Sequence, residues 1–210
     1  MSLILALDTT GEAGSIALLR GADVLEQVEL ASPDGFAHVL FGEIEALLAR
    51  HRVTVGDIDL FASASGPGSF TGVRVGLTAV KGLAEAAGKK AAGISNLRAI
   101  ACFGSKPLRA ALIDARRGEI YGGVYNAALD AAEDEVVMPL NSWLASLPAG
   151  DIEIIAGTSM NADPRWSRAP RALAAAIGKI AATKPELARD PAEIDANYVR
   201  RSDAELLWKA

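Results

Sequence analysis

The sequence predicts an α/β fold of two related lobes, the second reduced, and three observations carry that prediction. The first hundred residues open with three short apolar runs separated by tight turns. Amphipathic helical stripes then alternate with runs of the buried-strand type. After a connector at Gly104-Ser105-Lys106-Pro107, a second strand-first series begins that is poorer in helix.

Residues 3–9, 15–20 and 24–30 read as strands, divided by turns at Gly11-Glu12-Ala13-Gly14 and Gly21-Ala22-Asp23. Connections this short make them antiparallel neighbours. Over residues 36–50 the apolar side chains recur at Phe36, Leu40, Ile44, Leu47 and Leu48, the stripe of an amphipathic helix entered through a turn at 32–35. Residues 58–64 read as a buried strand. The segment Gly66-Pro67-Gly68-Ser69-Phe70-Thr71-Gly72 follows, and Val73, Leu77, Val80, Ala84 and Ala87 mark a second helical stripe. A strand at 91–94 and a helix at 96–103 close the series. Three antiparallel strands, helix, strand, helix, strand, helix is the order of a ribonuclease H-like unit.

In the second half, residues 109–115 and 120–125 read as strands around a tight Arg116-Arg117-Gly118 turn, 152–156 as a further strand and 172–183 as an Ala-rich helix. The expected division is therefore a ribonuclease H-like lobe at 1–104 and a smaller lobe at 105–210. The C-terminal stretch, with Pro185, Pro191 and Trp208, reads as an irregular tail.

Half of the 210 residues are apolar, enough for a sizeable core. The formal charge of -5 argues against tight direct binding of a phosphate backbone, which draws its affinity from clustered Lys and Arg. Any nucleic acid must mainly be held by something else. Cys102 is the sole cysteine, which excludes an internal disulfide and a cysteine-based zinc site and fits a reducing cytoplasm. The opening apolar run meets Asp8 too early for a signal-peptide core, and no uncharged run approaches the roughly 18 apolar residues of a membrane span. A cytoplasmic protein without a membrane span is the expectation.

The segment from Gly66 to Gly72 invites comparison with phosphate loops, because a loop feeding a helix N-terminus presents N–H groups to an anion. Its spacing misses the usual templates. A P-loop needs Gly five residues after Gly66 or Gly68 with a Lys next, and those positions hold Thr71 and Val73. Two readings stay open: a tight strand-to-helix turn in which Ser69 or Thr71 caps the helix while Gly72 and Gly76 allow close packing, or an anion site using the loop amides and Arg74. Asp8-Thr9-Thr10, ending the first strand, is similar to the first phosphate segment of actin-like ATPases, and is equally readable as a turn or cap. Asp114, Arg116 and Glu119 surround a hairpin turn and read as its salt bridges. His38 and His51, thirteen positions apart, would point about 220° apart on one helix and cannot share a metal ion. No Ser-His-Asp or Cys-His set is legible, although a lone nucleophile such as Thr9 stays open.

Taken together, Ala6-Leu7-Asp8-Thr9-Thr10, the Gly66-to-Gly76 string Gly-Pro-Gly-Ser-Phe-Thr-Gly-Val-Arg-Val-Gly, and Ile113-Asp114-Ala115-Arg116 with Gly118-Glu119-Ile120-Tyr121 resemble the bacterial TsaB (YeaZ) family. The resemblance covers nearly all of residues 1–125 and thins afterwards. It implies an actin-like ATPase fold, historically grouped with M22 glycoprotease-like proteins, and a place in forming threonylcarbamoyladenosine in tRNA. Its implied partners are a TsaD-like catalytic paralogue and a TsaE-like ATPase, or a second copy as a homodimer, with tRNA reached only indirectly. It implies no catalytic or metal-binding residue here and no cofactor bound alone, with ATP or ADP at the assembled complex. The paralogue carries a His-x-x-x-His metal pair on its first long helix; here His38 stands with Phe41 or Leu40 where a partner would be needed.

The resemblance also implies that the two long helices of the first lobe form the partner interface, through Phe36, His38 and Val39 on the first and Gly72, Gly76, Ala79, Val80 and Leu83 on the second. Gly72, Gly76, Ala79 and Gly82 would leave a narrow face for close helix approach, although such residues can equally pack on the protein's own sheet. Asp8, Thr9, Gly66, Pro67, Gly68, Ser69, Phe70, Thr71, Arg74, Asp114, Arg116 and Glu119 are the family-motif residues and the candidates for anion or nucleotide contact. The competing readings are an actin-like-fold ATPase or small-molecule kinase and an M22-type metallopeptidase. A kinase would need a second phosphate hairpin, for which Ile154-Ile155-Ala156-Gly157-Thr158 is the nearest segment.

Overall fold

The computed structural model describes residues 1–158, 160 and 163–200; Trp208 lies outside the described residues. The described residues form two compact units, one of residues 1–99 with 171–196 and the other of residues 100–170 with 197–200.

In the first unit β1 (Leu3–Asp8), β2 (Gly14–Arg20), β3 (Asp23–Leu30), β4 (Leu60–Gly66) and β5 (Lys90–Ser95) form a sheet in the order β3-β2-β1-β4-β5. The β1-β2 and β2-β3 pairs are antiparallel, as their short turns dictate, whereas β1-β4 and β4-β5 are parallel. Each parallel pair needs a crossover, and the helices α1 (Leu40–Arg50) and α2 (Phe70–Ala87) supply them. Alternation along the strands gives the sheet two apolar faces. Leu3, Leu5, Leu7, Ile16 and Leu18 share one core with Leu40, Ile44, Leu47 and Leu48 of α1 and Val73, Leu77 and Val80 of α2. Each such aliphatic side chain, fully buried, contributes roughly 1.5–3 kcal/mol. The opposite face, with Ala6 and Leu19, receives α5 (Ala174–Thr183), whose Gly178 lies against both side chains.

The second unit repeats this wiring. Its strands β6 (Leu108–Arg116), β7 (Glu119–Asn126), β8 (Ala131–Pro139), β9 (Ile152–Ala156) and β10 (Ser167–Arg168) lie in the order β10-β9-β6-β7-β8. Again the first three strands pair antiparallel and the last two parallel. The helix α4 (Leu140–Ser146) brings Trp143 into a core with Leu112, Ile120 and Val124. Chain order and pairing thus make the protein an actin-like, ribonuclease H-like α/β fold with a reduced second repeat.

Three features depart from the sequence expectation. The helical stripe at 36–50 begins with a 3-10 turn at Phe36–His38, and the α-helix starts only at Leu40. β8 and α4 were not legible. The segment 171–196 belongs to the first unit, not to the lobe beginning at residue 105, because the apolar side of α5 finds its cover on β1 and β2. Two amides at its start are met by that sheet: Ala174 N–H donates to Ser15 Oγ at 3.1 Å and Ala175 N–H to Gln27 Oε1 at 2.7 Å.

Candidate functional site

Strand β1 ends at Asp8 and runs on into Thr9 and Thr10, and all three residues are buried. Asp8 Oδ1 accepts the Thr10 N–H at 3.0 Å and the Thr10 hydroxyl at 2.7 Å. Burial pushes the Asp8 carboxyl above its ordinary range, while the hydrogen bonds from Thr10 and Asn96 pull the other way. The Thr9 hydroxyl donates to Gly72 O at 2.7 Å. That bond ties the end of β1 to the first turn of α2.

The Gly66–Gly72 segment leaves β4 through a cis peptide at Gly66-Pro67 and enters α2 at Phe70. Ser69 is the cap: its hydroxyl accepts the Gly72 N–H at 3.2 Å, satisfying one of the helix's orphan amides. Two other loop amides are also engaged, Ser69 N–H with Thr10 O at 2.8 Å and Gly66 N–H with Asn96 Oδ1 at 3.0 Å. Arg74 lies over the Phe70 ring, 3.8 Å from its centroid. The geometry favours the strand-to-helix reading, in which the Gly66, Ser69 and Gly72 N–H groups meet acceptors of the same chain. α2 ends on Gly88, whose left-handed φ of 64° closes the helix.

The glycines of α2 have an inward task. A Cβ on Gly76 would stand 2.6 Å from Thr9 Oγ1 and 2.7 Å from Ser63 Oγ, and one on Gly72 would overlap the Thr9 carbonyl. Hydrogen is the only side chain that fits at either position. This corrects the expectation of a small-residue docking face: Phe36, Gly72, Gly76, Ala79 and Val80 are buried in their own unit. His38 is exposed, and Val39 and Leu83 are half-buried. The outward sides of α1 and α2 instead present Phe41, 56% exposed, and Phe70, 50% exposed, together with Thr71, Arg74 and Gly82. Among the motif residues, Gly66 and Pro67 are buried, whereas Gly68 and Ser69 are exposed.

Asp114, Arg116 and Glu119 lie in the second unit and make a network of their own. Asp114 Oδ1 accepts the Arg116 N–H at 2.7 Å, and Arg116, Arg117 and Gly118 all adopt positive φ in the turn. Arg200 donates to Ala115 O at 3.0 Å and pairs with Glu119, its guanidinium 5.6 Å from the Tyr121 ring centroid. These contacts join the hairpin to the chain after α5. Gly157, in the segment considered as a second phosphate hairpin, donates its N–H to Leu112 O at 2.8 Å. Among the described residues no three His, Cys, Asp or Glu side chains converge as a metal site, and no helix is long and apolar enough to cross a membrane.

Asn96 was missed in the sequence. It opens α3 (Asn96–Ala101) with a buried side chain that links Gly66 to Thr10. The signal was there: a lone amide between Ile94 and Leu97, at the exit of a buried strand, needs partners.

The family model of TsaD, a tRNA N6-adenosine threonylcarbamoyltransferase, matches residues 31–192. The tRNA threonylcarbamoyladenosine biosynthesis protein TsaB of Bacillus subtilis is 31% identical over 157 residues, covering 72% of this chain and 69% of that protein. TsaB of Haemophilus influenzae is 40% identical over 122 residues, 56% of this chain and 51% of that protein, so the match spans about half of its length. Among solved structures, YeaZ from Pseudomonas aeruginosa is similar with a TM-score of 0.79 at 29% identity, covering 94% of this chain and 100% of that one.

Proposed function

This chain belongs to the TsaB (YeaZ) family, and from that premise we propose that it is a non-catalytic subunit in tRNA threonylcarbamoyladenosine biosynthesis that binds and supports a TsaD-like catalytic paralogue. The observation that carries this reading is the closure of the β1 and β4 ends. In open α/β sheets, ligands meet the protein outside the carboxyl ends of the strands. Here Asp8, Thr10, Asn96, Gly66 and Ser69 satisfy one another at that place. The chemistry then belongs to the paralogue, with ATP or ADP held in the assembled complex and a TsaE-like ATPase acting on it. A net charge of -5 suits a subunit that meets tRNA only through its partner, in the cytoplasm.

The docking surface in this reading is the outward side of α1, the 3-10 turn before it and α2, through His38, Val39 and Leu83 with Phe41 and Phe70, not the buried glycines. Aromatic side chains half-exposed on a helix face are the type that anchors protein interfaces. The same surface would serve a homodimer when the paralogue is absent. Co-purification with the TsaD-like protein tests the proposal, together with an assay of tRNA modification that omits each protein in turn. Phe41→Asp and Phe70→Asp each weaken association at least about tenfold, roughly 1.4 kcal/mol. Failure of the wild-type pair to associate with or without ATP or ADP defeats the proposal, as does rapid ATP turnover by the isolated chain.

A further inference from the structure

The Asn96 side chain, part of the closed β1 and β4 ends, is engaged through both its oxygen and its nitrogen. It stands at the start of α3, the helix within which the chain passes from the first unit to the second. Its Oδ1 accepts the Gly66 N–H at 3.0 Å, and its Nδ2 donates to Thr10 Oγ1 at 2.6 Å. The orientation of the amide is dictated, because a backbone N–H can only donate and so must face the oxygen. The Thr10 hydroxyl then donates to Asp8 Oδ1 at 2.7 Å. The result is a one-way relay, Gly66 to Asn96 to Thr10 to Asp8, whose residues are all buried. Thr10 also receives the Ser69 N–H on its carbonyl at 2.8 Å, so both ends of the Gly66–Ser69 loop hang on the same two residues. A fully satisfied buried network is rigid, and removing one member strands its neighbours without partners.

We infer that Asn96 is a positioning residue, and that the Gly66–Asn96–Thr10–Asp8 relay is a latch through which α3 sets the loop that opens α2. Since Phe70 is the first residue of α2, the latch also fixes the pose of the outward side of that helix. This last step rests on the proposed partner role; the latch itself does not. A small displacement of the α3 start acts on Gly66 directly, without passing through the apolar core.

Amide hydrogen exchange on the intact chain tests the latch in Asn96→Ala and Thr10→Val, with Thr10→Ser as the conservative rescue. The Gly66 and Ser69 amides exchange at least roughly tenfold faster in the first two variants, while β7 and α4 keep wild-type protection and Thr10→Ser stays near wild type. Wild-type protection at Gly66 and Ser69 in folded Asn96→Ala or Thr10→Val overturns the latch. So does a loss spread evenly over β1 and β4, which marks a general core defect. If Asn96→Ala does not fold, Thr10→Val decides. In a second arm the TsaD-like protein is titrated: several-fold weaker association of the latch variants is expected, and unchanged association alongside lost protection overturns the extension to α2. Failure of the wild-type pair to associate defeats the partner role alone and leaves the exchange result to judge the latch.

Discussion

The two units share one sheet plan and differ in what crosses it. In the first, the β4-to-β5 crossover is an 18-residue helix entered through the Gly66–Ser69 loop; in the second, β9 runs to β10 with no α-helix among the described residues. The consequence lies at the strand ends. The first unit holds a buried polar seam of Asp8, Thr9, Thr10, Ser63, Ser65 and Asn96, whereas Ala156 and Gly157 close the equivalent end of β9 through backbone bonds, Gly157 N–H to Leu112 O and Ala169 N–H to Ala156 O among them. Polar interiors need partners on every side, and only a crossover with a shaped loop supplies them. The shorter crossover of the second repeat thus goes with an apolar strand end, and the buried polar seam belongs to the first.

If the units are separately cored, the largest test is Trp143→Ala. It empties the centre of the second core and costs about 3–5 kcal/mol. Exchange protection falls in β6 and β7, while β1 and β4 keep theirs; equal losses in both sheets break the comparison. The next concerns the inward glycines of α2. Gly76→Leu drives carbon into Thr9 and Ser63 and destabilises the first unit by about 2–3 kcal/mol, whereas Gly82→Ala meets nothing within 4 Å and gains up to about 1 kcal/mol from helix propensity. Thermal unfolding of both variants decides, and a Gly76→Leu protein as stable as wild type places that face outward after all.

The smallest test is acid. Arg165 holds Asp163 of the second unit at about 2, below its ordinary 3.8. Its contribution to stability is present above 3.8 and is lost as pH falls towards 2. Asp8 of the first unit is displaced upward by burial, so its contribution is present in full below 3.8 and is lost as pH rises through its folded-state value. Asp8→Asn therefore gains on wild type as pH is raised from acid to neutral, read as a widening difference in urea midpoint. A difference independent of pH removes the distinction.

Much of the first sheet was legible because its strands are apolar, short and bounded by glycine turns. β8 was not, because an edge strand reading Ala-Ala-Glu-Asp-Glu carries no apolar alternation and lies largely exposed. β10, two residues long, falls below any periodic signal. The direction of the α2 glycines was readable in principle. Gly72, Gly76 and Val80 are spaced by four and flank Val73 and Leu77, so they belong to one helical stripe with the core residues. Shape alone does not say whether a narrow stripe meets another helix or its own sheet, and the Thr9 and Ser63 hydroxyls that settle the matter come from other strands. The return of α5 to the first unit is a long-range choice, written only in which sheet face lacks cover.

That return has a consequence for how the molecule is made. A ribosome releases β1 and β2 roughly 160 residues ahead of the end of α5, with all five strands of the second repeat emerging in between. Throughout that interval the Ala6 and Leu19 side of the first sheet has no lid, and Ser15 and Gln27 wait for the two amides they will later meet. The first unit begins before the second yet closes only after the second sheet has been made, and its nascent form is a half-covered sheet that needs shelter until α5 arrives.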